Sequence, residues 1–414
     1  MNVRDEPPYA VPQCSVNTRT TYRKPVTASP AIAVPFVAWL TLVALALPRT
    51  QSYDCTELAS RRDEIEKRDR SVAEGHGFWL DNDQASYCAM TLAPLSNGYL
   101  ARRQPYTFRL AAPLLAYLPV RAGIDFTRAY FALAATGLLV GVLFVFRILE
   151  LLQVGSVVAA TGATVFLLSA KATAPLLSAH EINAGSLGLL IAAWYYILKG
   201  KATGPTLLLA LAVLWHETAI LSMPAMALQM ALRRRHWVAP TLLALLGVAA
   251  FAVPRALIQP TNSVGAEVIM GWVAAQLATH HGRVAVAGEY LQGLGVALAL
   301  APFGMARLVK ERLWPMLLVI VAHCGTAVGL EIGRLIVPAS VPVIVCAALA
   351  INQLTIRQQA WTCAALVAAA TLVLGVWRLG QWSSWALVMA EVAMALTYVQ
   401  MRNTSRAIIR SEER

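Results

Sequence analysis

Long apolar runs recur along almost the whole chain and are separated by short polar intervals. A helix that crosses the hydrocarbon core of a bilayer needs roughly 20 mostly apolar residues. The pattern therefore predicts an all-α, polytopic helical membrane protein with about 12 transmembrane helices. The predicted spans are Ala31–Leu47, Ala129–Leu149, Val154–Ala170, Ala184–Leu198, Thr206–Trp215, Thr218–Leu232, Trp237–Ile258, Val286–Phe303, Leu313–Leu330, Leu335–Ile351, Ala360–Trp377 and Trp382–Met401.

The stretch Thr206–Leu232 has two interpretations, either a hairpin of two short helices or one tilted helix. At 1.5 Å per residue the first half is only about 15 Å long, so it does not cross the hydrocarbon core by itself. A single helix would invert every later loop and place Arg233, Arg234 and Arg235 outside. We favour the hairpin, which puts His216 and Glu217 at its turn.

The distribution of basic residues predicts the orientation, because short cytoplasmic loops are enriched in lysine and arginine. With the twelve spans above, the basic clusters fall on one side, and each short loop on the other side holds one basic residue. This predicts a multi-pass protein of the bacterial inner (plasma) membrane, with both termini cytoplasmic. Residues 1–30 are then a disordered cytoplasmic tail, residues 31–414 a single membrane domain, and residues 49–128 its large outer loop. The clusters are Lys199/Lys201, Arg233–Arg235, Arg307/Lys310/Arg312, Arg357 and Arg402/Arg406/Arg410/Arg414.

Composition agrees with this class of protein. Of 414 residues, 58% are hydrophobic and only 14% are charged, whereas soluble domains carry about 25% charged residues. The net charge of +12 arises from the short loops, so it reflects membrane orientation and predicts no nucleic-acid partner. The chain has neither a phosphate-cradling glycine motif nor a Gly-x-Ser-x-Gly motif, which argues against an ATPase or a serine hydrolase.

The outer loop contains the longest polar interval between apolar runs, Gly77–Ala116. It is preceded by Thr56–Val72, where opposite charges four residues apart predict a solvated surface helix. Within the interval, Asp81 and Gln84 form a capping-box pattern that opens a predicted helix over Asn82–Ala93. An apolar stripe through that helix predicts that it lies flat on the membrane surface.

Asp81 and Asp83 are the candidate catalytic residues. Two carboxylates separated by one residue can coordinate a divalent cation such as Mg²⁺ or Mn²⁺, or one can act as a base while the other tunes it. The alternative is structural, with Asp81 capping the helix. The two interpretations are compatible if Asp81 caps and Asp83 is free.

From Asp81 to Leu115 the order of residues resembles the first luminal loop of polyprenyl-phosphate-sugar-dependent glycosyltransferases. These form the GT-C superfamily, which includes the dolichyl-phosphate-mannose mannosyltransferases. The resemblance implies a GT-C-like helical fold, a loop acid required for catalysis and a lipid-linked sugar donor that enters sideways from the bilayer. The matching residues are Asp81, Asp83, Tyr87, Gly98, Pro105, Tyr106, Arg109, Pro113, Leu114 and Leu115.

Several residues are candidates for binding the donor. A guanidinium group binds phosphate bidentately, which gives the role of phosphate ligand to Arg334 or, in competition with it, to Arg102, Arg103 or Arg109. Tyr106 belongs to the same loop motif and is a further substrate-binding candidate.

His216 and Glu217 are candidates because ionisable residues at membrane depth are costly and mark functional cavities. The alternative for both is a structural pairing with other helices.

Two of the six cysteines, Cys55 and Cys88, lie in the predicted outer loop. An oxidising compartment would allow a disulfide between them. No CxxC or metal-ligand spacing occurs among the cysteines.

The sequence therefore predicts a membrane glycosyltransferase that transfers sugar from a polyprenyl-phosphate donor at the outer face of the membrane. The acceptor is a glycan, a lipid or a protein. One alternative is a twelve-span secondary transporter, although such proteins have a repeat between their halves and none is evident here. Another is a polysaccharide polymerase or ligase, in which the large outer loop comes late in the chain.

Overall fold

A computed structural model describes the part of the chain that forms the helical body. The described residues are 29–49, 87–88, 90–92, 108–176, 183–234, 237–258, 274, 277–326, 332–378 and 383–412. Residues 31–414 form one compact unit. Residues 1–28 of the predicted tail and the predicted surface helix Thr56–Val72 lie outside the described residues.

This part of the chain is helical throughout and has no residue in a β-strand. Short 3₁₀ turns occur at Pro30–Ile32, Leu47–Arg49, Ala174–Leu176, Glu217–Ser222 and Val296–Ala299, and the last two connect consecutive α-helices. The α-helices are α1 (Ala33–Ala46), α2 (Ala111–Arg121), α3 (Phe126–Leu151), α4 (Ser156–Leu168), α5 (Ala170–Thr173), α6 (Asn183–Leu198), α7 (Thr203–Trp215), α8 (Met223–Arg234), α9 (Val238–Leu257), α10 (His280–Leu294), α11 (Ala301–Lys310), α12 (Pro315–Thr326), α13 (Ile332–Ile351), α14 (Ile356–Arg378) and α15 (Ser383–Glu412).

Among the described residues, three helices are long and apolar enough to cross a membrane, namely α3, α9 and the Ile356–Gly375 part of α14. Each of the twelve predicted spans overlaps a helix, but many of these helices are shorter than a bilayer-crossing segment. Six shorter apolar helices run over Pro30–Ala46, Ser156–Leu168, Asn183–Leu198, Thr203–Trp215, Pro315–Gly325 and Leu335–Ile351.

The chain reverses direction at His216, in agreement with the predicted hairpin. Helix α7 ends at Trp215, and the backbone of His216 is extended, with φ −152° and ψ 120°. At the far end of α8, Nη1 of Arg233 donates a hydrogen bond to the carbonyl oxygen of Leu198 at 2.7 Å. Since Leu198 lies just before the start of α7, α8 returns to the end of the bundle from which α7 departed. His216 and Glu217 therefore lie at the turn.

The predicted span Val286–Phe303 is not one continuous helix. Helix α10 ends at Leu294, and Gly295 has a φ of 76°, a left-handed conformation that favours glycine and ends helices. A 3₁₀ turn over Val296–Ala299 then leads into α11. The predicted span therefore covers the end of one helix and the start of another.

A close helix contact between α3 and α6 depends on glycine. A Cβ atom placed on Gly137 would lie 2.6 Å from backbone atoms of Ala184 and Gly185. Small residues let helix backbones approach this closely. The same contact includes the end of α7, because the indole of Trp215 packs directly on Gly185.

We expect Gly137→Ala to lower the free energy of unfolding by about 1–3 kcal/mol or more, because the added methyl group meets backbone that cannot rotate away. Gly375→Ala in α14 is the matched control, since nothing lies within 4 Å of its added Cβ. It should be neutral or stabilising by up to about 1 kcal/mol, as expected for a helical glycine replaced by alanine. Thermal unfolding in detergent measures both, and equal effects of the two substitutions would contradict the close approach.

Candidate functional site

Residues 87–88 and 90–92 of the predicted outer loop are helical and pack on the helical body. Thr91 Oγ1 donates to the carbonyl oxygen of Tyr87 at 2.7 Å and is 2.9 Å from the hydroxyl of Tyr130 in α3. The buried face is therefore covered by protein: Cys88 is buried, whereas Leu92 is 38% exposed. The location of this helix on the membrane surface stays a prediction. The side chains of this helix join residues of α2, α3 and α7 in a small hydrophobic cluster. The cluster consists of Tyr87, Cys88, Met90, Ala112, Ala116, Phe126, Ala129, Tyr130 and Trp215.

An ion pair joins the end of the outer loop to the turn between α7 and α8. Arg109 donates from Nε to Oε2 of Glu217 at 2.8 Å and from Nη2 to Oε1 at 2.7 Å. The two side chains are only 13% and 17% exposed. Nη1 of Arg109 also donates to the hydroxyl of Tyr87 at 2.9 Å. One arginine therefore connects three parts of the chain that are far apart in sequence.

Glu217 is held in its ionised form. Burial by itself would raise the pKa of this carboxyl, but the guanidinium of Arg109 and the imidazole of His216 outweigh burial and hold the pKa well below its usual range. A bidentate, charge-assisted hydrogen bond favours the carboxylate in the same direction. At neutral pH the ion pair is thus fully charged.

A second arginine, Arg255, lies beside this pair near the end of α9. The centre of its guanidinium group is 4.3 Å from the ring centroid of Phe108 and 3.7 Å from that of Phe251. Its Nη1 donates to the carbonyl oxygen of Phe251 at 2.9 Å. Arg255 is close enough to interact electrostatically with both Glu217 and Arg109.

Arg255 is not among the site residues predicted from the sequence. The signal was present, because an arginine inside an otherwise apolar helix is uncommon and tends to be functional. What the sequence did not show is that this arginine stacks on Phe108, which immediately precedes Arg109.

His216 is buried at the turn, only 4% exposed. Its Nδ1 is 2.7 Å from the hydroxyl of Thr218 and accepts a hydrogen bond from the backbone N–H of Thr218 at 3.4 Å. Because an N–H can only donate, Nδ1 is an acceptor in this arrangement. The neutral ring then carries its proton on Nε2.

His216 lines a small cavity that is mostly apolar but has several polar side chains in its wall. It is lined by Asn183, Ser186 and Thr218, together with Lys171, whose Nζ pairs with Oε2 of Glu289 at 2.7 Å. The cavity volume is about 20 Å³, which is enough for one water molecule but not for a sugar ring. The cavity is therefore no donor site in this conformation.

Three of the sequence-predicted site residues come together in space, namely Arg109, His216 and Glu217. Arg334 lies in the first turn of α13, but its side chain is outside the described part. The remaining candidates, Asp81, Asp83, Arg102, Arg103 and Tyr106, are outside the described residues as well, so their roles stay predictions.

The disulfide prediction is tested on one side only. Cys88 is disulfide-bonded, while Cys55 lies outside the described residues. The pairing of the two stays a prediction. The described free cysteines, Cys324, Cys346 and Cys363, lie in the predicted spans.

The metal prediction rests on Asp81 and Asp83 alone. Within the ranges that the structure describes, no group of three or more histidine, cysteine, aspartate or glutamate side chains is arranged to hold a metal ion. The acids of the outer loop are outside those ranges, so their role as metal ligands remains a prediction.

Comparison with known proteins assigns neither a family nor an activity. No model of a protein family, no curated protein and no solved structure matches the chain. The functional proposal therefore rests on the geometry of Arg109, Glu217 and Arg255 and on the resemblance carried by the outer-loop residues.

Proposed function

We propose that this protein is a GT-C-type membrane glycosyltransferase with about 12 transmembrane helices. It transfers a sugar from a polyprenyl-phosphate donor to a hydroxyl acceptor at the outer face of a bacterial inner membrane. The outer loop supplies the reacting acid, and the membrane helices supply the cationic wall that receives the lipid phosphate.

The observation that carries the proposal is the bidentate contact between Arg109 and Glu217. Arg109 is an outer-loop residue that the resemblance identifies, and its partner Glu217 lies at the turn between α7 and α8. Arg255 adds a second cation at the same place. A loop that carries acids and ends at a cationic, partly buried site suits a reaction whose leaving group is a lipid phosphate.

In the proposed reaction, the carboxylate of Asp83 accepts the proton of the acceptor hydroxyl as its oxygen bonds to the anomeric carbon. The bond between the anomeric carbon and the phosphate oxygen breaks, and its electron pair leaves with the polyprenyl phosphate. Arg109 and Arg255 offset the negative charge that builds on that phosphate. Asp81 caps or orients the segment that presents Asp83.

The experiment is a transfer assay with the purified full chain in lipid nanodiscs and a panel of radiolabelled polyprenyl-phosphate hexoses and pentoses. We expect release of polyprenyl phosphate from at least one donor, and a much lower rate for Arg109→Ala. Arg307→Ala is the matched control, because Arg307 lies in α11 and pairs only loosely with Glu311, at 4.0 Å. Turnover of no donor, or equal turnover by Arg109→Ala, would exclude the proposed reaction.

A further inference from the structure

We propose that Glu217 is a built-in counter-ion that occupies Arg109 in the unliganded protein. A phosphate group carried by a lipid displaces it and is then held between Arg109 and Arg255. The identity of the lipid as a polyprenyl phosphate rests on the proposed function, whereas the exchange of counter-ions rests on the geometry of the three side chains.

Glu217 takes up donors of Arg109 that a phosphate would also use. The contact uses Nε and Nη2, one complete edge of the guanidinium group, and engages both carboxylate oxygens. This edge is one of the two through which a guanidinium group binds a phosphate bidentately. Glu217 and a phosphate ligand therefore compete for the same donors, and Arg109 cannot bind both through that edge.

Arg255 has N–H donors that no carboxylate in the described part of the chain occupies. In the described part of the chain it forms no salt bridge, and its single hydrogen bond goes to the backbone oxygen of Phe251. A guanidinium group has five N–H donors, and the stacking on Phe108 and Phe251 fixes the plane of this one without using them. Arg255 is thus oriented by aromatic rings and keeps donors for an anion.

Arg255 lies close to the ion pair. Its ring partner Phe108 immediately precedes Arg109, and Arg255 is near enough to interact electrostatically with both Glu217 and Arg109. An anion bound by Arg109 is therefore also attracted by Arg255.

The surroundings of Arg255 favour an anion that arrives on a lipid. Val253 and Leu257 flank it along α9 and are 50% and 79% exposed. In a helix apolar enough to span a membrane, such side chains face lipid. A phosphate with an acyl or prenyl chain can reach Arg255 along this face while its chain stays in the bilayer, whereas a free phosphate gains nothing from it.

The experiment measures binding to the full chain by native mass spectrometry and by thermal shift in nanodiscs. The probes are undecaprenyl phosphate, phosphatidylglycerol, uncharged undecaprenol and inorganic phosphate. We expect Glu217→Gln to bind undecaprenyl phosphate about tenfold more tightly than the wild type, because the competing carboxylate is gone while the shape is kept. Arg255→Gln and Arg109→Gln should each bind it about tenfold or more weakly.

Glu289→Gln is the matched control, since it removes a paired carboxylate from the neighbouring ion pair, and its affinity for undecaprenyl phosphate should equal that of the wild type. If Glu217→Gln does not fold, Glu217→Asp tests the same idea. The shorter side chain keeps its charge but loses the bidentate contact, so the affinity should rise by a smaller factor.

Unchanged or weaker binding by the Glu217 variants would overturn the counter-ion role, and unchanged binding by Arg255→Gln would overturn its part in the site. Equal affinity for undecaprenol would overturn a phosphate ligand, and equal affinity for inorganic phosphate would overturn a lipid ligand. Tighter binding of phosphatidylglycerol than of undecaprenyl phosphate would assign the site to a phospholipid. If the expected binding pattern is found without sugar transfer, the lipid-phosphate site stands and the transferase activity is rejected. If sugar transfer is found without this binding pattern, the transferase activity stands and the site is rejected.

Discussion

Arg109→Ala is expected to lower the free energy of unfolding by about 3 kcal/mol, because it leaves the Glu217 carboxylate buried without its bidentate partner. This is the low end of the range for buried pairs, as both side chains keep some exposure. The double variant Arg109→Ala/Glu217→Ala should lose about 1–3 kcal/mol less than the sum of the two single variants, since no unpaired charge remains. Thermal unfolding in detergent measures all three.

The control for this cycle is Arg307→Ala, which removes one member of a surface ion pair. Arg307 and Glu311 are 4.0 Å apart, and their side chains are 36% and 50% exposed. It should cost less than about 1 kcal/mol. An Arg109→Ala effect of that size would show that the buried pair contributes no more than a surface pair does.

The pair also predicts a pH dependence with a definite sign. Since the pKa of Glu217 is lowered in the folded protein, its contribution to stability is complete above the ordinary carboxyl pKa of 4.5 and is lost as the pH falls through the lower, folded value. The stability difference between the wild type and Glu217→Gln should therefore be constant from pH 7 to about pH 5 and decrease only in stronger acid.

The positions of the helices could be predicted from the sequence because apolar run length and turn chemistry act locally. The hairpin at His216 followed from a length argument, since residues 206–215 are too few to cross a bilayer. The break at Gly295 had a local signal as well, a glycine inside the apolar run Val286–Phe303. The span was nevertheless predicted from hydropathy, which cannot distinguish one long apolar helix from two short apolar helices in succession.

The pairing of side chains could not be predicted, because it depends on how helices far apart in sequence meet. Arg109 and Glu217 are separated by 108 positions, and nothing in either neighbourhood specifies the other. Composition predicted that charges at membrane depth need partners, which made Glu217 a candidate. It did not indicate that Arg255 would be oriented by Phe108, because a ring-to-guanidinium contact leaves no periodic pattern in the sequence.

Several residues that follow the candidate acid Asp83 are held against the helical body. The end of the outer loop is fixed in two ways, by Phe108 against Arg255 and by Arg109 on Glu217. Tyr87, four residues after Asp83, packs in the small hydrophobic cluster, and its hydroxyl accepts a hydrogen bond from Arg109. Asp83 is thus only four residues from Tyr87, which contacts Arg109, the proposed binding residue for the phosphate. The loop acid can therefore be tested as part of the same site.

Asp83→Asn is expected to abolish sugar transfer and to leave the protein folded. The amide keeps the shape of the side chain, but it can neither accept the proton of the acceptor hydroxyl nor carry a charge. Loss of a general base alone lowers rates by about 10²–10⁴-fold, which is below detection in complementation of a strain that lacks the gene. The measurement is that complementation, with the protein level checked by immunoblot and undecaprenyl phosphate binding checked by native mass spectrometry.

Asp81→Asn is the matched control, because asparagine caps a helix nearly as well as aspartate does. If Asp81 acts mainly as a cap, this variant should complement, whereas Asp81→Ala should lower stability by about 1 kcal/mol. If both asparagine variants fail while both proteins fold and bind lipid, the two acids act together, as expected for a shared cation. Full complementation by Asp83→Asn would remove the loop acid from the mechanism, and the secondary transporter would then become the better hypothesis, because it needs no proton acceptor at that position.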